Sequence, residues 1–260
     1  MIRSGNVLDF VVMIGLMIAI YLMMSRAEKK MPKLRRIPAL DALEEAVGRA
    51  AETGRPILFT QGSGGTGTLS HPEEGPQIMS GLNVLSHLAA LAANLGPRII
   101  CCVGQSDSLI PTTEIVREAY IAQGMPEAFR EDDIRFLGSG NAYAFAAVDI
   151  IRTEEVAAAF FIGPFYNESL TFVFHSDDVG AMKIGGTAFT HQMPFFAAVC
   201  DYFMIGEEIY AAGAYLSGEA EELGSVVGED FAKGFSIILI ILAVAAASFG
   251  LSGFLNFMRI

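Results

Sequence analysis

Ile99-Ile-Cys-Cys-Val-Gly104 is a run of five apolar residues closed by glycine. It has the length and composition of a strand buried on both faces. The same unit recurs along the chain. Residues 56–60 stop at Gln61-Gly62, residues 134–137 at Gly138, Ala158–Ile162 at Gly163, and residues 182–184 at Gly185-Gly186. Helical patterns separate these runs. Asp41-Ala-Leu-Glu44 reads as a capping box opening a helix that ends at Gly54. Ile78, Leu82, Leu85, Ala89, Ala92 and Leu95 recur at helical spacing before Gly96-Pro97. Residues 113–123 form a helix closed by Gly124, residues 141–152 another, and residues 167–175 are read as helix although Leu170 to Phe174 alternates like a strand. Residues 194–216 suit one long buried helix. Strands alternating with helices predict an α/β fold, a Rossmann-like, mostly parallel sheet of about five strands with right-handed crossovers.

Two long apolar runs bracket this pattern, residues 7–24 with only Asp9 near the outer end, and residues 235–257 with no ionisable side chain. About 20 apolar residues cross a bilayer, so both are expected to span. Arg26, Lys29, Lys30, Lys33, Arg35 and Arg36 follow the first run against one acid, Glu28, whereas Arg3 and the amino terminus precede it. The positive-inside rule then puts residues 26–233 in the cytoplasm of a two-pass cell-membrane protein. A cleaved signal peptide would carry its bases ahead of the apolar run, the reverse of this order. The expected layout is an N-terminal anchor (1–25), a basic linker (26–36), a cytoplasmic α/β domain (37–217), a glycine- and acid-rich joint (218–234) in which Gly218, Gly224, Gly228 and Gly234 weaken a helix, and a C-terminal membrane helix (235–260).

Between residues 37 and 234 the chain carries 27 acids against nine bases, a net charge of −18. Such a field repels phosphate backbones and argues against nucleic acid as a partner. Cys101, Cys102 and Cys200 sit in apolar stretches and read as small core residues. His71, His87, His175 and His191 are scattered without metal-ligand spacing, so no metal site is expected.

In a parallel sheet the strand-to-glycine junctions share one edge, where open α/β folds bind ligands. That edge would display Gln61 and Gly62, Gln105 to Asp107, Ser139 and Asn141, Tyr166 to Glu168, and Thr187. Gly62, Gly64, Gly67, Asp107, Asn141 and Glu168 are the candidate ligand-binding residues. Gly62-Ser-Gly-Gly-Thr-Gly67 has the G-x-G-x-x-G spacing of a phosphate-cradling loop. However, His71-Pro-Glu-Glu-Gly-Pro76 separates it from the next amphipathic pattern, and no lysine follows Gly67. Asp201, Glu207 and Glu208 lie in an apolar run and must cap backbone, pair with Arg117, Arg135 or Arg152, or line a pocket. No nucleophile is paired with a base: Gly138-Ser-Gly140 lacks the nucleophile-elbow pattern, so catalysis is not indicated and no cofactor is named.

Residues 37–49, Val116-Arg-Glu-Ala-Tyr120, residues 130–137 and residues 205–217 resemble an uncharacterised prokaryotic membrane-protein family, a domain of unknown function. The resemblance implies a cytoplasmic α/β domain held by terminal membrane helices and assigns no catalytic residue. Two functions fit the sequence. One is a membrane-anchored, homo-oligomeric assembly or scaffold, its membrane helices packing through Ala243, Ala246, Ala247, Gly250 and Gly253. The other is a small-molecule-binding or enzymatic domain tethered to the bilayer, with its site at the glycine edge. The expected partners are the lipid bilayer and further copies of the chain, with no protein partner specified.

The topology is testable by cysteine labelling. A cysteine at position 130 should resist an impermeant maleimide until cells are permeabilised, and one at position 2 should react from outside. Labelling of position 130 in intact cells would invert the orientation.

Overall fold

A computed structural model describes residues 7–27, 35–62, 69–166 and 168–248. From the N-terminus the elements are α1 (Val7–Ala27), α2 (Pro38–Asp41), α3 (Leu43–Thr53), β1 (Ile57–Thr60), α4 (Gly75–Leu95), β2 (Ile99–Val103), α5 (Ser106–Ala122), β3 (Ile134–Phe136) and α6 (Gly140–Thr153). They continue with β4 (Ala158–Ile162), α7 (Ser169–Asp178), β5 (Met182–Thr187), α8 (Met193–Val199), β6 (Tyr202–Ile205), α9 (Glu208–Ser217) and α10 (Ala220–Ser248). They form two units, residues 36–216 and the two terminal segments.

In the larger unit six strands pair in parallel in the order β3-β2-β1-β4-β5-β6. Residues of alternate parity feed opposite faces, as the strand period requires. Ile57, Phe59, Cys101, Phe160 and Ile184 pack with α3, α4, α5 and α9, whereas Leu58, Cys102 and Phe161 pack with α6, α7 and α8. Both faces are thus covered, which is why β1, β2 and β4 read as unbroken apolar runs. Cys101, Cys102, Phe160, Phe161 and Ile184 are all buried, as a two-sided sheet requires. α4 lies close over the centre: a Cβ on Gly81 would stand 2.5 Å from the Ile162 carbonyl oxygen. Among the described residues α4 is the one helix that passes a length-and-hydropathy test for crossing a membrane, but 56% of its apolar window is buried. It is a core helix of this sheet.

The sixth strand corrects the reading of residues 194–216 as one helix. The segment breaks into α8, β6 and α9, because an unbroken apolar run cannot by itself separate a buried helix from a buried strand. Asp201 and Glu208 therefore do not share a helical face. Asp201 Oδ2 accepts the Lys183 amide at 2.7 Å, and Glu208 Oε2 accepts the Ile205 amide at 3.0 Å, so both carboxylates cap backbone. β5 also continues through Gly185-Gly186 instead of ending there. A Cβ on Gly185 would stand 2.8 Å from the Phe196 ring, and one on Gly186 2.6 Å from the Met204 methyl. These glycines make room for side chains over the strand. α5 starts at Ser106, ahead of the expected residue 113, and runs through Pro111. Asp41 caps no helix. Its carboxylate accepts the Tyr215 hydroxyl at 2.6 Å and pairs with Arg36, while the N-cap of α3 is Ala42.

The N-terminal edge of the sheet is tied by arginines. Arg98 makes a two-pronged contact with the buried Asp133, its Nη2 lying 2.6 Å from Oδ1 and its Nε 2.9 Å from Oδ2. Glu154 bridges Arg98 at 2.9 Å and Arg135 at 2.5 Å. Arg55 donates to the carbonyls of Glu155, Val156 and Val179, clamping the turns that lead into β4 and β5.

In the smaller unit α1 and α10 pack side by side. A Cβ on Gly224 would stand 2.7 Å from Met24 Cα, and one on Gly228 3.2 Å from Ile20 Cα. The rising number on one helix meets the falling number on the other, so the pair is antiparallel. α10 is helical throughout Gly224, Gly228 and Gly234, correcting the expectation of a weakened joint at 218–234. Two of those glycines provide the close approach of the small-xxx-small kind. Met17 and Tyr21 of α1 and Ile240 and Ile241 of α10 are all more than 60% exposed. Gly250 and Gly253, and the Ala246 side chain, lie outside the described residues.

The ion network sets an acid limit on stability. The Arg135 hydrogen bond first, and Arg98 second, hold the Glu154 carboxyl below its ordinary value near 4.5. A depressed folded value means stability present above the unfolded pKa and lost as pH falls through the folded one. Arg98→Met should lower unfolding stability by about 2 kcal/mol at neutral pH, because Asp133 stays buried without its partner while Arg98 itself is partly screened. Urea midpoints for wild type and variant should converge as pH falls below 4. A constant gap would show that the loss is packing alone.

Candidate functional site

In the strand order β3-β2-β1-β4-β5-β6 the direction of winding reverses between β1 and β4, and ligands of open α/β sheets bind beyond the strand ends at that point. Here the segments leaving β1 and β4 run on side by side in close contact. Gly62 has φ +83°, and a Cβ there would overlap the Pro164 carbonyl oxygen. Gly163 has φ +150°, and a Cβ there would overlap the Gln61 carbonyl oxygen. Only glycine permits this backbone and this approach. Next to this contact, at the end of β1, the fully buried Tyr143 hydroxyl shares a hydrogen bond with Thr60 Oγ1 and lies 3.4 Å from the Cys102 carbonyl. Burial pushes the Tyr143 phenol well up.

The start of α4 is the second part of the site. Glu74 is its N-cap residue and is 1% exposed. Tyr166, in the segment after β4, donates its hydroxyl to Glu74 Oε1 at 2.6 Å, while Glu74 Oε2 is buried and meets no hydrogen-bond partner among the described residues. A carboxylate at a helix N-terminus is favoured by the aligned peptide dipoles, and here the chain supplies that anion itself. Of the first-turn residues, Gly75 spends its amide on the His71 carbonyl at 2.9 Å and Pro76 has none. A phosphate approaching this helix would meet a carboxylate and few amides. Gln61 nearby donates Nε2 to Ser108 Oγ at 2.5 Å, and its buried Oε1 likewise has no partner among the described residues.

Beside Glu74 opens a cleft of about 580 Å³ lined by Pro72, Glu73, Gln77, Tyr166, Ala188 to His191, and Tyr210. Its size suits a small molecule. The linings come from the start of α4, the ends of β4 and β5, and α9, so it lies over the β4–β5–β6 half of the ligand edge. Tyr166, Phe189 and His191 pack as three mutually touching rings, with centroids 5.2 to 5.8 Å apart. Gln77 fixes the floor: its Oε1 accepts the Ala188 amide at 2.9 Å and the Thr187 hydroxyl at 3.3 Å, and its Nε2 donates to the Glu73 carbonyl at 3.2 Å. Burial first, then the Glu74 hydrogen bond and the charges of Glu74, Glu73 and Glu168, push the Tyr166 phenol up. Burial and Glu73 raise Tyr210 in the same direction. A second cavity of about 230 Å³ lies at the opposite end of the sheet; of its charged lining residues Arg98 and Asp133 pair with each other, and Arg130 is the third.

Of the residues chosen from sequence, Gly62 permits the close approach of the two backbones and Glu168 is buried close enough to act on both Tyr143 and Tyr166. Asp107 accepts the Leu69 amide at 2.7 Å, tying the segment after β2 to the one after β1, and Asn141 is exposed in the first turn of α6. Neither lines the cleft. Gly64 and Gly67 fall outside the described residues. Glu73, Glu74, Gln77, Phe189, His191 and Tyr210 were not singled out. The available signal was that His71-Pro-Glu-Glu-Gly-Pro76 sets a proline and acids at a helix start, and that a strand ending at Thr187 puts residues 188–191 on the ligand edge.

Removing the Tyr166 hydroxyl leaves both Glu74 oxygens buried. Tyr166→Phe should cost about 1–3 kcal/mol in unfolding stability, and adding Glu74→Met should recover most of it, since apolar replacement of both partners removes the stranded group. Losses that simply add in urea titrations of the full chain would contradict the pairing.

No curated protein and no solved structure matches the chain. A family match does, spanning residues 1–258 and so covering both the terminal helices and the sheet that carries the cleft: the chain belongs to the DUF6754 family, a domain of unknown function.

Proposed function

We propose that this is a membrane-tethered α/β protein that binds a small molecule in the cleft beside Glu74. The observation that carries the reading is the buried Glu74 carboxylate, with one oxygen held by Tyr166 and the other without a partner, next to an open cleft at the ligand edge of the sheet. A protein that served only as a scaffold gains nothing from keeping such a group, which lowers stability unless something offsets it. The tether is the α1–α10 pair. Two helices that expose Met17, Tyr21, Ile240 and Ile241 around a glycine-mediated contact suit lipid better than water. With bases concentrated after α1, the sheet domain faces the cytoplasm.

A homo-oligomeric assembly is the second reading, favoured by Phe145 of α6 and Phe174 of α7, which are 68% and 66% exposed. Large rings left in water on packed neighbouring helices suit contact with another copy. Both roles can coexist.

The test is to purify the full chain in detergent, denature it, and identify released small molecules by mass spectrometry. Wild type should release a molecule that Ala188→Trp, which fills the cleft, does not. Equal release, or none from either, would overturn the binding reading. Light scattering decides the second: Phe145→Asp with Phe174→Asp should disperse an oligomer, and a monomeric wild type would remove it.

A further inference from the structure

We infer that the occupant of the cleft is an organic cation bearing an ammonium group, a proposal that rests on the cleft being a ligand site. Charge comes first. Among the described lining residues none is lysine or arginine, while Glu73 stands at the rim and Glu74 lies one side chain behind Tyr166. Residues 36–216 together hold 22 acids against nine bases, so the surrounding field opposes an anion as well.

The chemistry of the wall points the same way. Gln77 is committed at both ends of its amide, to Ala188 and Thr187 on one side and to Glu73 on the other. Besides the Glu73 carboxylate at the rim, what the wall offers a ligand is mainly ring faces. The faces belong to Tyr166, Phe189 and His191, clustered within 5.8 Å of one another, with Tyr210 of α9 also on the wall. Ring faces carry negative potential and attract cations, most effectively large and weakly hydrated ones. A small metal ion would instead need a set of oxygen or nitrogen ligands. Among the described residues no group of three or more histidines, cysteines or acids is placed to hold one. An ammonium group meets the Glu73 carboxylate at the rim and the rings together.

Isothermal titration calorimetry on the full chain in a non-ionic detergent, at about pH 8 where an ordinary histidine is neutral, can compare three probes. They are choline, n-butylammonium, and 3,3-dimethylbutan-1-ol, the uncharged shape match of choline. At least one of the two cations should bind, and the alcohol should bind about tenfold more weakly or not at all. Glu73→Gln and Tyr210→Leu should each weaken the cation several-fold, and Ala188→Trp should abolish binding. If the alcohol binds as well as choline and Ala188→Trp removes both, the cleft is a ligand site but the cation inference falls. If neither cation binds while wild type releases a neutral or anionic molecule that Ala188→Trp lacks, the inference falls alone. If the cations bind equally to wild type and Ala188→Trp, they bind elsewhere and the inference is overturned. If nothing binds and nothing is released, the binding reading falls with it.

Discussion

The close approach of two backbones at the centre of the sheet is the contact on which the rest depends. β1 and β4 are neighbours although distant in sequence, and the segments that leave them pass with Gly62 against the Pro164 carbonyl and Gly163 against the Gln61 carbonyl. Because neither position has room for a Cβ, the two segments hold one fixed separation. That separation sets where Tyr166 lies relative to the start of α4, and so whether its hydroxyl can reach Glu74. It also roofs Tyr143 and Thr60, whose shared hydrogen bond would otherwise face water.

The two edges of the sheet solve opposite problems. At the N-terminal edge a set of charges is paired: Arg98 with Asp133, Glu154 with two arginines, and Arg55 with three carbonyls. Satisfied networks of this sort hold turns in register and leave little for a ligand to do. At the C-terminal edge a carboxylate is buried with one oxygen unmet among the described residues, and a glutamine nearby is in the same condition. Unmet polar groups lower stability, and each calls for an explanation. The contrast between a paired edge and an unsatisfied one is what singles out the candidate site.

Helix α4 connects these themes. Its body is apolar enough to resemble a membrane span, yet it lies over β1 and β4 with Gly81 against the Ile162 carbonyl. Its N-cap residue is Glu74, in the place where folds of this winding hold a phosphate. The Glu74 side chain makes no cap hydrogen bond to the helix and is held by Tyr166 from the segment after β4 instead.

The alternation of short apolar runs with helical patterns was enough, from sequence, to establish a parallel α/β sheet, since strands buried on both faces leave a local signature that no distant contact can disguise. Five of the six strands and the identity of Cys101, Cys102, Phe160, Phe161 and Ile184 as core residues were legible for that reason. β6 was not, because Tyr202–Ile205 sits in an apolar stretch where strand and helix look alike, and pairing with β5 is what selects the strand. The glycines of β5 and α10 were misread for a related reason: glycine marks either a turn or a close approach, and only the neighbour across the gap tells which. The site divides in the same way. Its edge followed from topology, and Gly62, Tyr166 and Glu168 with it, whereas Glu74, Gln77, Phe189, His191 and Tyr210 come together from three separate segments. Nothing local in a chain records that a tyrosine after one strand will meet a carboxylate 92 residues earlier; that distance is closed by the winding of the sheet alone.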